Sequence, residues 1–366
     1  MIYNALNYKP TIAHIDLAAV QHNCRVVKNK APNSKILAMV KSNAYGHGVL
    51  PIAKALSSHA DAFGIAWLDE AIKLIENGID KPMLLLKGFL TKDELQLISE
   101  LQLSTVVHNL HQIELIEKTS LKNPIQIWLK VDTGLHRLGL QPQELESVYQ
   151  KLLNNPKIIK PLFLITHLAN ADNVNDPKNA DQIALFNNIT KNLPVMKSIA
   201  NSATLCASSS AQSDWVRSGI LLYGASPYQS KTGAELGLKP VMTLVSQLLS
   251  IQHLKKGESV GYGSTWECPE NMPVGIVNLG YGDGYPRHAK SGTPVLINNC
   301  RSTILGRVSM DMLAIDLRPC QHAQIGDTVT LWGKGLPIEE VAKFADTIPY
   351  ELFCRLTQRV YFQYHE

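Results

Sequence analysis

The sequence predicts an α/β fold, a (β/α)8 TIM-type barrel followed by a mostly β C-terminal domain. Three observations predict it. Short apolar runs recur eight times in the first two thirds of the chain. Stretches of helical period separate most of them. Near Pro240 the pattern gives way to strand-like segments spaced by Gly, Pro and Asn. A length of 366 residues suits two domains, divided as 1–240 and 241–366.

The runs are KILAMVK (35–41), AFGIAW (62–67), PMLLLK (82–87), LSTVVH (103–108), IQIWLKVD (125–132), LFLITHLA (162–169), MKSIANS (196–202) and WVRSGILLYG (215–224). Most are continuous rather than alternating, as strands covered on both faces are. Helical period marks VLPIAKALSSH (49–59), LDEAIKLIENG (68–78) and DELQLISELQ (93–102). Asp69, Thr91 and Asn109 are candidate N-caps, and Gly78 is a C-terminal glycine. Eight such repeats in about 240 residues are the barrel pattern. The competing fold, a doubly wound open sheet, usually has fewer strands and a G-x-G-x-x-G turn after the first. That turn is missing. Beyond Pro240 six strand-like segments and one helix, around 338–346, read as the β domain.

Composition excludes several classes. Thirty-five basic against 31 acidic residues, a net charge of +4 without basic runs, is too balanced for a nucleic-acid or anionic-membrane partner. No stretch is long and apolar enough to span a bilayer. The start, MIYNALNYKPTIAHIDLAAV, has no signal-peptide pattern. Six scattered cysteines without a C-x-x-C pair predict a reduced, cytoplasmic protein with neither a disulfide framework nor a zinc site. His108 and His111 lie three apart with no third ligand in view, so no metal is expected.

A barrel carries its chemistry at the carboxyl ends of its strands. Lys41 closes the first run, Lys130 and Asp132 the fifth with Arg137 just beyond, and His167 lies in the sixth. Asn201 and Ser202 end the seventh, and Arg217 and Gly219 lie in the eighth. Lys87 and His108 also end strands, so position alone does not select. A lone strand-end lysine is commonly a solvated terminus. The set is more informative: cations, an imidazole and small hydroxyls share one barrel mouth. A desolvated lysine among cations loses its proton more easily and condenses with carbonyls. Ser202 and the 218–220 turn offer hydroxyl and amide donors to a phosphate. A sugar-phosphate enzyme without an organic cofactor fits the same set.

Ten motifs extend the reading. AMVKSNAYGHG (38–48), VDTGLHRLG (131–139), ITHLANAD (165–172), IANSAT (199–204), WVRSGILLYG (215–224), VGYGSTW (260–266), LGYGDGYPR (279–287), GRVSMDM (306–312), GDTVTLWG (326–333) and PYELFC (349–354) resemble, in order, those of alanine racemases. The resemblance covers essentially the whole chain. It implies pyridoxal 5'-phosphate as cofactor, with Lys41 as the lysine that holds it. Tyr45, Ser202, Gly219, Ile220 and Tyr350 match positions contacting its phosphate. Arg217 matches the arginine facing the pyridine nitrogen, and His167 the imidazole beside the ring. Arg137 and Met310 match substrate-carboxylate positions, Asp311 is their neighbour, and Tyr281 matches an aromatic at the entrance. Lys130 matches a lysine often carbamylated in the family and then orienting Arg137. The alternative for Lys130 is a plain lysine paired with Asp132. Tyr262 matches the second catalytic base, which the family supplies from the other subunit of a homodimer.

The implied reaction interconverts L- and D-alanine by two bases, Lys41 on one face and Tyr262 on the other, with D-alanine serving peptidoglycan synthesis. Two departures stand out. Ser218 replaces the proline of many relatives, and the tail QRVYFQYH lacks an arginine expected after its valine. A broad-spectrum or serine-type racemase shares most motifs, but such broad enzymes usually carry a secretion signal. A fold-type III decarboxylase would bring a catalytic cysteine and a glycine-rich phosphate loop, neither of which is found. A non-catalytic carrier of the cofactor would be a lone barrel.

Overall fold

The structure, a computed structural model, describes residues 11–207 and 209–366. They form two compact units. One comprises Gln21–Ala44 and Gly48–Leu222. The other comprises the N-terminal segment through Val20, Tyr45–His47 and Tyr223–Glu366.

Strands are numbered in chain order from β1 (Ile12–Asp16). The first unit holds β2 (Lys35–Met39), β3 (Ala62–Ile65), β4 (Met83–Leu85), β5 (Ser104–Val107), β6 (Ile125–Lys130), β7 (Ile158–Ile165), β8 (Met196–Ser198) and β9 (Trp215–Ser218). All eight overlap the predicted runs, although β7 begins at Ile158, four residues ahead of its run. They pair in parallel in the order β8-β7-β6-β5-β4-β3-β2-β9. At the seam the Ser198 hydroxyl donates to Trp215 O at 2.9 Å, and Arg217 N–H to Ala200 O at 2.9 Å. These bonds bring the end strands together into a nearly closed barrel and rule out the open sheet. Ile36, Leu37, Ala38 and Ile65 are fully buried, as continuous apolar runs require. Trp128 packs edge-on against Phe163 and Trp215, with centroids at 4.8 and 5.5 Å.

Two of the three proposed caps hold. Thr91 Oγ1 accepts from Glu94 N–H, and Asn109 Oδ1 from Gln112 N–H. Asp69 is not a cap. Trp67 has the extended dihedrals of the N-cap, so Asp69 lies inside the first turn of the helix Leu68–Glu76, where its charge suits the dipole. Gly78 adopts φ 77° just past that helix.

The second unit is an eight-stranded sheet containing β10 (Met242–Leu254), β11 (Met272–Val277), β12 (Pro294–Ile297), β13 (Cys300–Leu305), β14 (Leu313–Asp316), β15 (Thr328–Trp332) and β16 (Tyr361–His365), together with β1. The order is β11-β14-β13-β12-β15-β10-β1-β16, with β10 also pairing β11. The segment 12–16, ahead of the barrel in sequence, is therefore antiparallel to β10 and parallel to β16. Its burial alternates, with Ala13 and Ile15 inside. That is the pattern of a one-sided sheet rather than of a barrel strand.

The predicted helix is present as Ile338–Phe344, and a second, Pro349–Arg355, follows it. The second is too short for periodicity to reveal, but Pro349 at its first position is the favoured starter.

Cys300 and Cys320 are joined, with Cα atoms 5.9 Å apart. This corrects the expectation of reduced thiols only. The bond forms because β13 begins beside the turn after β14, a proximity that cysteine spacing does not encode. No helix among the described residues is long and apolar enough to cross a membrane. The first ten residues, on which the signal-peptide expectation partly rests, lie outside the described residues.

Candidate active site

The chain leaves β2 through an unusual turn. Ser42, Asn43, Ala44 and Tyr45 all have φ between 50 and 55°. Four consecutive left-handed residues without glycine are costly, and such strain persists only where surroundings over-determine it. The surroundings do so here. Ser42 N–H donates to Glu70 Oε1 at 2.6 Å, Ala44 N–H to Val40 O at 2.8 Å, and Val49 N–H to Asn43 Oδ1 at 2.9 Å. The turn aims Lys41, half-buried, from the strand's carboxyl end.

Arg217 is buried to 5% exposure, and burial pushes its pKa down to about 9. Nη1 donates to Ser198 O and Oγ, and Nη2 to Thr166 O, Ile199 O and His167 Nδ1, the last at 3.2 Å. No carboxylate is among its partners in the described residues. A guanidinium has only donors, so Nδ1 of His167 must accept and the proton sits on Nε2. Burial and then Arg217, Arg137, Lys130 and Lys41 hold His167 well below its ordinary pKa, so it is neutral. Burial, then Arg137 and Arg217, likewise push Lys130 down to about 8, against a small opposing pull from Asp132. Lys41, Lys130, Arg137, His167 and Arg217 thus form one electrostatic cluster at the ends of β2, β6, β7 and β9. Arg137 is exposed on a loop closed by Leu140 N–H to Lys130 O at 2.9 Å.

Beside this cluster Ser202 opens the helix Ser202–Ala207, and its hydroxyl accepts Gly219 N–H at 2.9 Å. The Ser218 hydroxyl is fully buried without a hydrogen-bond partner among the described residues. Such a group is costly unless something else satisfies it. Pyridoxal phosphate fits this donor set. Its phosphate would meet Ser202, Ser218 and the Gly219–Ile220 backbone, its ring nitrogen Arg217, and its carbonyl Lys41.

The remaining predicted residues belong to the second unit. Tyr45 stacks on Tyr223 at 4.8 Å and lies 5.8 Å from the Tyr350 ring. Burial, then Tyr350 and Cys354, raise its pKa, which keeps it a neutral phenol. His47 is a packing residue, 4.6 Å from both Tyr223 and Phe353. The Tyr281 turn lies against the Met310 loop, with Tyr281 N–H donating to Ser309 O at 3.0 Å. Tyr262 tips a hairpin whose root, Val260 and Trp266, packs with Cys268 and Met272. Tyr262 is 69% exposed, and Met310 is 53% exposed.

Sequence reasoning missed the supports. Glu70 reads as an ordinary first-turn acid. Gln182, which donates to Thr133 Oγ1 and His167 O and accepts from Ala169 N–H, reads as a polar helix residue. Ser198 ends a three-residue strand without any motif signal.

Two family models match: alanine racemase N-terminal domain over residues 15–227, and alanine racemase C-terminal domain over 241–364. An alanine racemase of Coxiella burnetii is 48% identical over 96% of this chain and 97% of that protein. The crystal structure of a biosynthetic alanine racemase from Pseudomonas aeruginosa superposes with a TM-score of 0.95 at 41% identity, over 98% and 100% of the two chains. The alanine racemase of Bartonella henselae, solved with covalently bound pyridoxal phosphate, gives 0.86 at 30% identity over 97% and 99%. The motifs, the barrel with its β domain and these likenesses agree, and the chain belongs to the alanine racemase family.

Proposed function

We propose that this isomerase interconverts L- and D-alanine using pyridoxal phosphate held at Lys41. The observation that carries the reading is the buried Arg217, which lacks a carboxylate partner among the described residues and donates to a neutral His167 within the Lys41 cluster. When bound, the cofactor supplies an electron sink that acidifies the substrate's α-hydrogen.

The chain's residues do the rest. Arg217 remains protonated at neutral pH even with its pKa near 9, so it would donate to the pyridine nitrogen of the bound cofactor and keep it from taking a proton. Once the substrate's amine has taken the place of Lys41, the Lys41 amine would take the α-proton from the D-isomer while Tyr262 delivers a proton to the opposite face. In the reverse direction Tyr262 would take the α-proton from the L-isomer while Lys41 delivers one, because inversion needs a base on each side. A phenol is a weak base at neutral pH, so Tyr262 works beside a cation; of the two candidates, Arg137 and His167, the neutral His167 is the poorer, and we take Arg137. Arg137 and Met310 hold the substrate carboxylate, Asp311 flanks them, and Tyr281 lines the way in. Tyr45 and Tyr350 would be further contacts to the phosphate, as the family resemblance implies.

The exposure of Tyr262 and Met310 supports a homodimer in which each site receives Tyr262 from the partner. The depressed Lys130 supports carbamylation: its neutral amine adds to carbon dioxide, giving a carbamate and releasing a proton. Cytoplasmic supply of D-alanine for peptidoglycan is the role this activity serves.

The test is chiral product analysis over a panel of L-amino acids, with the cofactor followed by its visible absorption. Racemisation of alanine above all others is expected, with band and activity both lost in Lys41→Ala. A band surviving Lys41→Ala would remove the assignment. Equal rates on serine or bulkier substrates would make the enzyme a broad racemase.

A further inference from the structure

Arg359 belongs to none of the roles above. Its Nε lies 3.1 Å from Asp283 Oδ1, and its Nη2 lies 2.8 Å from Asp311 Oδ1. The two carboxylates differ. The Asp283 side chain is 6% exposed, and its second oxygen accepts Gly280 N–H at 2.9 Å. The Asp311 side chain is 54% exposed. They sit on two segments in backbone contact, where Gly282 N–H donates to Met310 O at 2.8 Å. The guanidinium crosses at Gly282, where a Cβ would come within 2.4 Å of Nη1. Thr357 anchors the arginine's own segment through its N–H to Asp283 O at 3.1 Å and its hydroxyl to Gly282 O at 2.9 Å.

We infer that Arg359 is a positioning residue that neutralises Asp311 beside the substrate-carboxylate position at Met310 and so sets affinity for alanine. This rests on the assignment of Met310 proposed above. An exposed ion pair contributes little to stability, so the Arg359–Asp311 contact is poorly explained as a brace. Its effect is on the local field. A substrate carboxylate at Met310 meets the carboxylate of the next residue, and like charges at short range repel. The guanidinium cancels that repulsion while its other edge stays fixed on buried Asp283.

The test is steady-state kinetics of the holoenzyme. Arg359→Met should raise KM for alanine about five- to tenfold with kcat nearly unchanged, the size expected for one uncompensated charge near the surface. Adding Asp311→Asn to that variant should bring KM back towards wild type, because the repelling charge has gone. Rescue by Asp283→Asn and not by Asp311→Asn would overturn the inference, leaving Arg359 as a brace for a buried acid. An unchanged KM in Arg359→Met would overturn it as well. If Arg359→Met does not fold, Asp311→Asn alone replaces it. A KM below wild type is expected there, because the guanidinium then stands uncancelled beside the substrate carboxylate, and an unchanged or raised KM overturns the inference. Met310→Glu separates the two readings. If KM is insensitive to an anion placed there, the Met310 assignment fails. If Met310→Glu raises KM but Arg359→Met does not, only the role of Arg359 fails.

Discussion

At the scale of single residues, the site works by withholding protons. Arg217 and His167 are adjacent, and burial, reinforced by the fixed charge of Arg217, keeps His167 neutral. Lys130 is held near 8 by burial and by Arg137 and Arg217. An ordinary lysine titrates near 10.5, so at pH 7 its neutral fraction is below about one in a thousand. At a pKa of about 8 the neutral fraction is about one tenth at pH 7 and about nine tenths at pH 9. The amine is the base form, so its population rises with pH. Uptake of labelled carbon dioxide by Lys130, at constant dissolved gas, should therefore climb severalfold between pH 7 and 9 and be absent in Lys130→Ala. Uptake that is flat across this range would leave Lys130 a plain lysine paired with Asp132.

At the scale of elements, the site depends on segments packed backbone to backbone. Gly280 has an ordinary φ of −145°, so its lack of a side chain is not conformational. A Cβ there would lie 2.3 Å from both Met310 O and Ser309 O. Gly280→Ala must push the Tyr281 turn off the Met310 loop, at an overpacking cost of about 1–3 kcal/mol. Gly78→Ala meets nothing within 4 Å and carries only the strain of φ 77°, about 1 kcal/mol. Thermal midpoints should fall further for Gly280→Ala, and the reverse order would show that the two segments do not depend on each other. Elements of this kind mark the limit of sequence reading. The barrel strands were legible because each is a continuous apolar run, and Lys41 because a motif surrounds it. Strand 12–16 was not recognised as a member of the C-terminal sheet, because its partners are some 230 and 350 residues away in sequence. The helix 349–355 was hidden by its seven residues. Glu70, Gln182 and Ser198 were invisible because supporting hydrogen bonds carry no periodicity.

At the scale of the molecule, the two halves of the proposed chemistry lie in different units. Lys41 belongs with the barrel cluster, whereas Tyr262 tips an exposed hairpin of the β domain. An exposed aromatic at the tip of a rigidly rooted hairpin is suited to completing a surface on another chain. Shared sites make a quantitative prediction. Lys41→Ala and Tyr262→Phe should each be nearly inactive as homodimers. Co-expressed in equal amounts with random pairing, half of the dimers are mixed. In each mixed dimer one site combines the intact Lys41 of one subunit with the intact Tyr262 of the other, and its second site carries both lesions. Recovered activity should approach about a quarter of wild type, as follows from one good site in half of the dimers. Sites built within single chains would recover nothing, because every chain carries a lesion. Measuring racemisation across mixing ratios tightens the test. The recovered rate should peak at equal amounts and fall symmetrically to either side, and a rate linear in either component would exclude a site built from two chains.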